Sequence, residues 1–355
     1  MCPSVFDRLS ETLTDLVTTT GFSGSILVTD GGTTRFQECH GHANRADEVP
    51  ITPSTRFGLG SVTKIFTSAT VLSLVADDLI TTDTRLVDVL PAEARPTGLL
   101  PQTTIGHLLS HTSGIADYFE EETATADWPQ EFAALWRDRP VYTVLRPADY
   151  LPLFAELPPY REPGGRYQYS NAGYVLLGLV IEAVTGIEYA DAVHRRVFEP
   201  AEMTDSGFFA ADAVLPHIAT GYLPPLSEGG PWRSNIFAMP SVGGSDGGSV
   251  SSPADLDRFL TRLDGGAILP ADQTASMFQP HVAVTDDIHM GYGVYLRGNG
   301  SSRYWQSEGF DPGYEAILRR FPEFDVNVVV LSNVNDVAGA VCAVVTETVL
   351  ATYGG

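Results

Sequence analysis

Of the 21 lysines and arginines in this chain of 355 residues, Lys64 alone is a lysine, and Ser61 stands three positions before it. The pair lies in the run Phe57-Gly-Leu-Gly-Ser-Val-Thr-Lys-Ile-Phe-Thr-Ser68. A desolvated lysine amine can shed its proton and act as a base, whereas a guanidinium stays charged inside a protein. A serine hydroxyl beside such a base is a nucleophile. Chance would put a serine three residues before a lone lysine about once in twelve, so the spacing gains meaning from its surroundings. A second candidate set is Tyr169-Ser-Asn171, whose phenol could shuttle a proton to a leaving group and whose amide could orient a substrate.

The residues after Lys64, including Ile65, Phe66, Ala69, Val71, Leu72, Leu74 and Val75, are dense in apolar side chains. They read as a largely buried helix ending near Asp77, with Ser61 at its start. Residues three apart share a helix face, so the Ser61 hydroxyl and the Lys64 amine would point into one space. The unpaired amides of the helix N-terminus would favour an oxyanion there. Ala172 to Val184 reads as a second apolar helix, which would hold Tyr169 and Asn171 in the loop leading into it.

Towards the chain ends the pattern changes. Residues 6–18 read as an amphipathic helix, and Gly24–Thr29, Asp30-Gly-Gly32 and Thr33–Gly41 as strand, tight turn and strand. Tyr292–Leu296, Tyr304–Gln306, Tyr314–Arg319 and Val326–Leu331 read as strands, and Val337–Tyr353 as a closing helix. Sheet segments at both ends with helix and loop between them imply a mixed α/β (α+β) fold. Its antiparallel sheet is built from both chain ends and flanked by helices, with an inserted, mainly helical lobe. We expect one catalytic domain over 1–355, a sheet lobe of approximately 1–75 plus 285–355, and a helical lobe of approximately 76–284. A small-molecule site belongs in the cleft between the lobes.

A net charge of −23 argues against nucleic acid and anionic membranes as partners, since both need cationic patches. No basic, apolar leader and no run of about 18 apolar residues is present. Cys2, Cys39 and Cys342 are odd in number and lack CxxC spacing, which favours free thiols and a cytoplasmic setting. Cys342, in an apolar run, reads as core rather than nucleophile. Gly243-Gly-Ser-Asp-Gly247 matches a nucleophile elbow that His281 or His289 could complete, but its flanks read as a glycine loop rather than a strand-to-helix turn. His107 and His111 have the spacing of a zinc pair, yet Leu108 occupies the glutamate position, so packing and capping are the better reading. No metal or other cofactor is called for.

With these residues in place, the chain resembles the serine β-lactamase and penicillin-binding-protein superfamily, in particular its class C β-lactamase, esterase and D-aminopeptidase branch. Ser61-Val-Thr-Lys64 is similar to the Ser-x-x-Lys motif and Tyr169-Ser-Asn171 to Tyr-x-Asn. His107–Ile115, Met203–Phe208 and Gly247–Leu256 are similar to further signatures of the branch, in order over most of the chain. The resemblance implies acyl transfer through a serine ester: Ser61 attacks, Lys64 and Tyr169 move protons, and Asn171 orients substrate. It also implies a third motif, Lys-Thr-Gly or His-x-Gly, before a Pro-Gly-aromatic turn. Pro312-Gly-Tyr314 supplies the turn and aligns Ser307-Glu-Gly309 with the motif. There the cation is replaced by Ser307, and Glu308 adds negative charge, so carboxylate substrates should be disfavoured. Gly309 precedes Phe310, whose backbone N–H would be the second oxyanion donor beside that of Ser61.

The expected activity is therefore that of a serine hydrolase or acyltransferase working on a small ester, with a small-molecule acyl donor and acceptor as partners. The alternatives are a transacylase of a specialised metabolite, a D-amino-acid peptidase or amidase, and a catalytically silent binding homologue. The oligomeric state is left open.

Overall fold

The structure is a computed structural model and describes residues 5–354 except residue 228, so Cys2 lies outside the described residues. Helix α1 (Val5–Thr20) leads into the hairpin of β1 (Gly24–Asp30) and β2 (Thr33–His40). Far along the chain follow β3 (Val282–Ala283), β4 (His289–Met290), β5 (Tyr295–Arg297), β6 (Tyr304–Asp311), β7 (Tyr314–Phe321) and β8 (Val326–Ser332). All eight form one antiparallel sheet in the order β2-β1-β8-β7-β6-β5-β4-β3. The two chain ends meet where β1, the second strand in this order, pairs with β8 from Gly24 opposite Ser332 to Asp30 opposite Val326.

Period-two alternation divides the core between the faces of this sheet. Leu27, Ala316, Leu318, Val329 and Leu331 join the larger cluster with the inserted helices. Ile26, Val28, Ile317, Phe321, Val328 and Val330 join the smaller one with α1 and the closing helix α5 (Ala338–Tyr353). Because β8 is covered on both faces, all seven of its residues are buried, which explains its nearly continuous apolar run.

Between the two halves of the sheet lie α2 (Thr63–Ala76), α3 (Asn171–Thr185) and α4 (Pro253–Asp264). Every residue of α2 from Thr63 to Leu74 is buried, and Phe66 meets Phe198 and Phe259 edge-to-face at 5.2 and 4.8 Å. A helix buried over these twelve residues, its polar side chains included, is packed on all sides. It can therefore hold a polar group rigidly and out of water. Among the described residues no single helix is long and apolar enough to cross a membrane.

Most element boundaries fall within two residues of the sequence reading, and the elements at 6–18, Tyr304–Gln306 and Tyr292–Leu296 differ as follows. The helix expected at 6–18 spans Val5–Thr20. The strand expected at Tyr304–Gln306 runs on to Asp311, because pairing with β7 from Trp305 to Asp311 carries Ser307-Glu-Gly309 despite their poor strand propensity. The strand expected at Tyr292–Leu296 starts only at Tyr295, since the Gly291 N–H donates to the Val294 carbonyl and closes a turn there.

Candidate active site

Ser61 lies in a single 3-10 turn, Gly60–Val62, just ahead of α2, and keeps partial solvent contact. One residue into α2, Lys64 is 3% exposed, with its Nζ 2.9 Å from Ser61 Oγ, 2.7 Å from Asn171 Oδ1 and 2.5 Å from the Asp246 carbonyl oxygen. The last two partners can only accept, so a neutral amine would spend both its hydrogens on them. Its lone pair would then face Ser61. Burial lowers the Lys64 pKa, opposed by the nearby carboxyls of Asp246, Glu121, Asp117 and Asp311.

The loop carrying Asp246 is laced to α2. Thr67 Oγ1 donates to the Ser245 carbonyl at 2.6 Å, Thr63 Oγ1 lies 2.7 Å from Ser249 Oγ, and the Leu59 N–H donates to the Ser249 carbonyl at 2.9 Å. Ser245 is fully buried in this loop, which excludes an exposed elbow nucleophile. A loop, as read from the glycines, is what is found.

Asn171 opens α3, whose first amides are satisfied by side chains as helix starts require. Ser170 Oγ accepts from the Gly173 N–H at 3.0 Å, and the Asp117 carboxyl accepts from the Asn171 and Ala172 N–H groups at 2.7 and 2.9 Å. Asn171 Nδ2 in turn donates to Glu121 at 3.1 Å, which aims Oδ1 at Lys64. Tyr169 stacks on His111 with ring centroids 4.5 Å apart, and the Lys64 amine lies 4.8 Å from the centre of its ring. His111 Nδ1 accepts from the Ser170 N–H at 3.1 Å, so its proton sits on Nε2, and burial followed by Lys64 holds it neutral. His107 pairs with Thr104 in a helix capping box, the role expected of it. Burial drives the Tyr169 phenol well above its usual range, with Glu121 and Tyr295 adding to the rise and a hydrogen bond with Ser61 opposing it. Tyr169 is thus a neutral phenol at physiological pH.

Strand β6 supplies the facing wall. Strand β5 pairs with it only at Tyr304, Trp305 and Gln306, so from Ser307 onward β6 offers a free edge to the Ser61 turn. The approach is close enough to require glycine twice. A methyl group at Gly309 would lie 2.1 Å from the Leu59 carbonyl oxygen and 2.6 Å from Ser61 N. At Gly60, where φ is +51°, it would lie 2.8 Å from Phe310 N. The Ser61 and Phe310 amides therefore border the same spot. Ser307 is buried, while Glu308 accepts a hydrogen bond from Gln306. Burial raises the Glu308 pKa, and Arg297 and Arg319 offset this. Its charge is partly compensated rather than open to the cleft.

Sequence reasoning missed four acidic residues. Asp117, Glu121, Asp246 and Asp311 surround Lys64 although they come from three separate stretches of the sequence, and only the fold could reveal the cluster. Burial raises the pKa of each. For Asp311 the rise reaches about 8, with Asp246 reinforcing it and Lys64 opposing it. A carboxyl raised this way favours folding in its neutral form, a contribution complete below about pH 4 and lost as pH rises through about 8. Asp311→Asn should therefore gain thermal stability over the parent chain in a pH-dependent way. The gain is expected to be small near pH 5 and about 3 °C near pH 9 in melting scans. A gain independent of pH would contradict the assignment.

One cavity opens at Ser61 and a second adjoins it. The first, of about 260 Å³, is lined by Ser61, Phe119, Glu121, Trp128, Asn171 and Phe310 among others. The second, of about 350 Å³, extends beyond it past Tyr150, Tyr314 and Met239. Tyr118, Phe132, Asp246, Gly247 and Asp311 border both, and no arginine or lysine appears among the described residues lining either. Among the described residues no group of three or more histidines, cysteines or acids is placed to hold a metal ion.

A buried lysine three residues after a serine, at the foot of an antiparallel sheet whose edge meets that serine, defines a class of serine hydrolases. The model of the Beta-lactamase family matches residues 9–348, and the chain belongs to that family. The crystal structure of a penicillin binding protein from Bacillus halodurans is 36% identical, with a TM-score of 0.87 over 94% of this chain and 99% of that one. Penicillin-binding protein 4* of Bacillus subtilis (strain 168) is 27% identical over 330 residues, 88% of this chain and 68% of its own length. Esterase EstB of Burkholderia gladioli is 33% identical over 200 residues, 52% of this chain and 47% of its own length. The protein is a serine hydrolase of the β-lactamase and penicillin-binding-protein class.

Proposed function

We propose that the enzyme is an esterase or transesterase in which Ser61 forms the acyl intermediate. The observation carrying this reading is the three-point grip on Lys64 Nζ, which leaves the lone pair of a neutral amine facing Ser61 Oγ. Lys64 takes the hydroxyl proton as Oγ attacks the ester carbonyl. The resulting oxyanion is met by the Ser61 and Phe310 N–H groups. Collapse breaks the bond to the alcohol, whose oxygen takes a proton through the Tyr169 phenol. Tyr169 suits this role because its raised pKa keeps it a donor. Water or an acceptor alcohol then attacks acyl-Ser61, yields its proton to the same groups, and frees the serine.

Ester substrates are favoured over β-lactams and other carboxylates because Ser307 replaces the third-motif cation and acids rather than bases surround the cavities. The two adjoining cavities support transfer to an acceptor as the second reading, since they offer room for an acyl donor and a separate acceptor. A cytoplasmic setting suits Cys39 and Cys342, which are free thiols.

A fluorophosphonate probe is expected to label the protein once, and Ser61→Ala to abolish labelling. In a side-by-side panel, p-nitrophenyl esters should turn over faster than nitrocefin or D-amino-acid amides. Rapid nitrocefin hydrolysis with inert esters would reverse the substrate ranking, and absence of both labelling and ester turnover would sink the hydrolytic role of Ser61.

A further inference from the structure

The cleft holds a surplus of buried acid that the acyl-transfer chemistry does not use. Asp311 is 8% exposed and Asp246 is 5% exposed, and both line both cavities. Asp311 Oδ2 and Asp246 Oδ1 have no hydrogen-bond partner among the described protein groups. The other oxygen of Asp246 accepts from the Tyr118 hydroxyl. A buried carboxyl oxygen without a partner is costly and calls for an explanation. Lys64 is the sole amine here, and its contacts go to Ser61, Asn171 and the Asp246 backbone, not to either carboxyl. Even if charged, it brings one positive charge to four acids.

Placement along β6 shows where a complementary charge would sit. Ser307, Gly309 and Asp311 alternate with Gln306, Glu308 and Phe310, so Asp311 shares the face that meets the Ser61 turn. Two residues of strand put it about 7 Å beyond Gly309. A carbonyl oxygen held by the Phe310 N–H therefore lies within a short chain's reach of the Asp311 carboxyl. Tyr169, the proposed donor to the leaving group, lines neither cavity. The leaving group then points towards Tyr169, and the acyl chain enters the cavity lined by Ser61, Asp246 and Asp311.

We propose that the enzyme selects acyl donors whose acyl chain carries a protonated amine, held between the carboxyls of Asp311 and Asp246. This rests on the acyl-Ser61 reading and specifies its substrate class. It accounts for the acids around the cleft and for the want of a cation in the third motif: a site for a cationic acyl chain has no use for one.

The test compares p-nitrophenyl ω-aminohexanoate with the isosteric heptanoate and with the pimelate monoester, which differ only in the chain terminus. In the parent enzyme kcat/KM should favour the amine over the methyl terminus by about ten- to a hundredfold, as for a charge-assisted hydrogen bond, with the carboxylate slowest. In Asp311→Asn the ratio of amine to methyl should fall towards one, whichever way the absolute rates move. Equal rates for amine and methyl esters in the parent enzyme would overturn the proposal while leaving the esterase reading intact. Calorimetry on Ser61→Ala provides the independent arm. Hexylammonium should bind and hexanoate should not, with binding lost when Asp311→Asn is added. Hexylammonium binding without any ester turnover would sink the esterase reading alone, and no hexylammonium binding would sink this one.

Discussion

Lys64→Arg is expected to lower kcat/KM for a neutral ester by about a thousandfold, within the range attributed to a positioned acid-base group. The charge is conserved, and that is the point of the substitution. A guanidinium does not give up its proton in a protein, so it can donate to Asn171 Oδ1 and the Asp246 carbonyl but cannot receive the Ser61 proton. Its planar fork also replaces a compact amine on a helix buried from Thr63 to Leu74. Melting scans should therefore accompany the kinetics, because lost activity in a folded protein isolates the chemistry. Fluorophosphonate labelling should slow in parallel, since it needs the same activated hydroxyl. Full activity in Lys64→Arg would remove Lys64 from the proton path.

Gly309→Ala should lower kcat by about a hundred- to a thousandfold, the loss seen when an oxyanion donor is misplaced. The added methyl group would lie 2.1 Å from the Leu59 carbonyl oxygen and 2.6 Å from both the Ser61 and Val62 nitrogens. All three are backbone atoms, so no side chain can swing aside. Either β6 retreats or the turn carrying Ser61 does, and both movements pull the Phe310 and Ser61 amides apart. Phe310→Ala is the contrasting variant. It retains the N–H and trims only a half-exposed ring, so its effect on kcat should be far smaller. Comparable losses in the two variants would argue that the pocket wall, not amide geometry, governs turnover.

How far these positions could be read beforehand depended on the range of the interaction that fixes them. Ser61 and Lys64 were legible because both lie on one short stretch whose apolar neighbours announce a buried helix. Asn171 was legible for the same reason at the start of α3. The strand pattern at the two chain ends was enough to anticipate an antiparallel sheet drawn from both, since alternation is a local signal. Strand β6 beyond Gln306 was not legible as a strand. Its Ser-Glu-Gly segment is extended because β7 pairs with it, and pairing between segments leaves little trace in composition. The acids were hidden for a stronger reason. Asp117, Glu121, Asp246 and Asp311 converge from three separate stretches of chain, and each alone resembles the many solvated carboxylates of an acidic protein. Glu308 shows the converse: its charge looked intrusive in the sequence, yet Arg297 and Arg319 lie near it.

The pairing of β1 with β8 joins residues 24–30 to residues 326–332. A ribosome must release residues 326–332 before that pair can close, some 300 residues after β1 is made, and contacts so distant along the chain are slow to form. The Ser61 turn and its partner strand β6 are likewise made some 250 residues apart. A nascent chain can thus carry Ser61 and Lys64 without an oxyanion site to use them until Phe310, some 250 residues later, has been made. Reactivity of the serine becomes a readout of completed folding, and its time of appearance after translation or refolding should report the last long-range closure of the sheet.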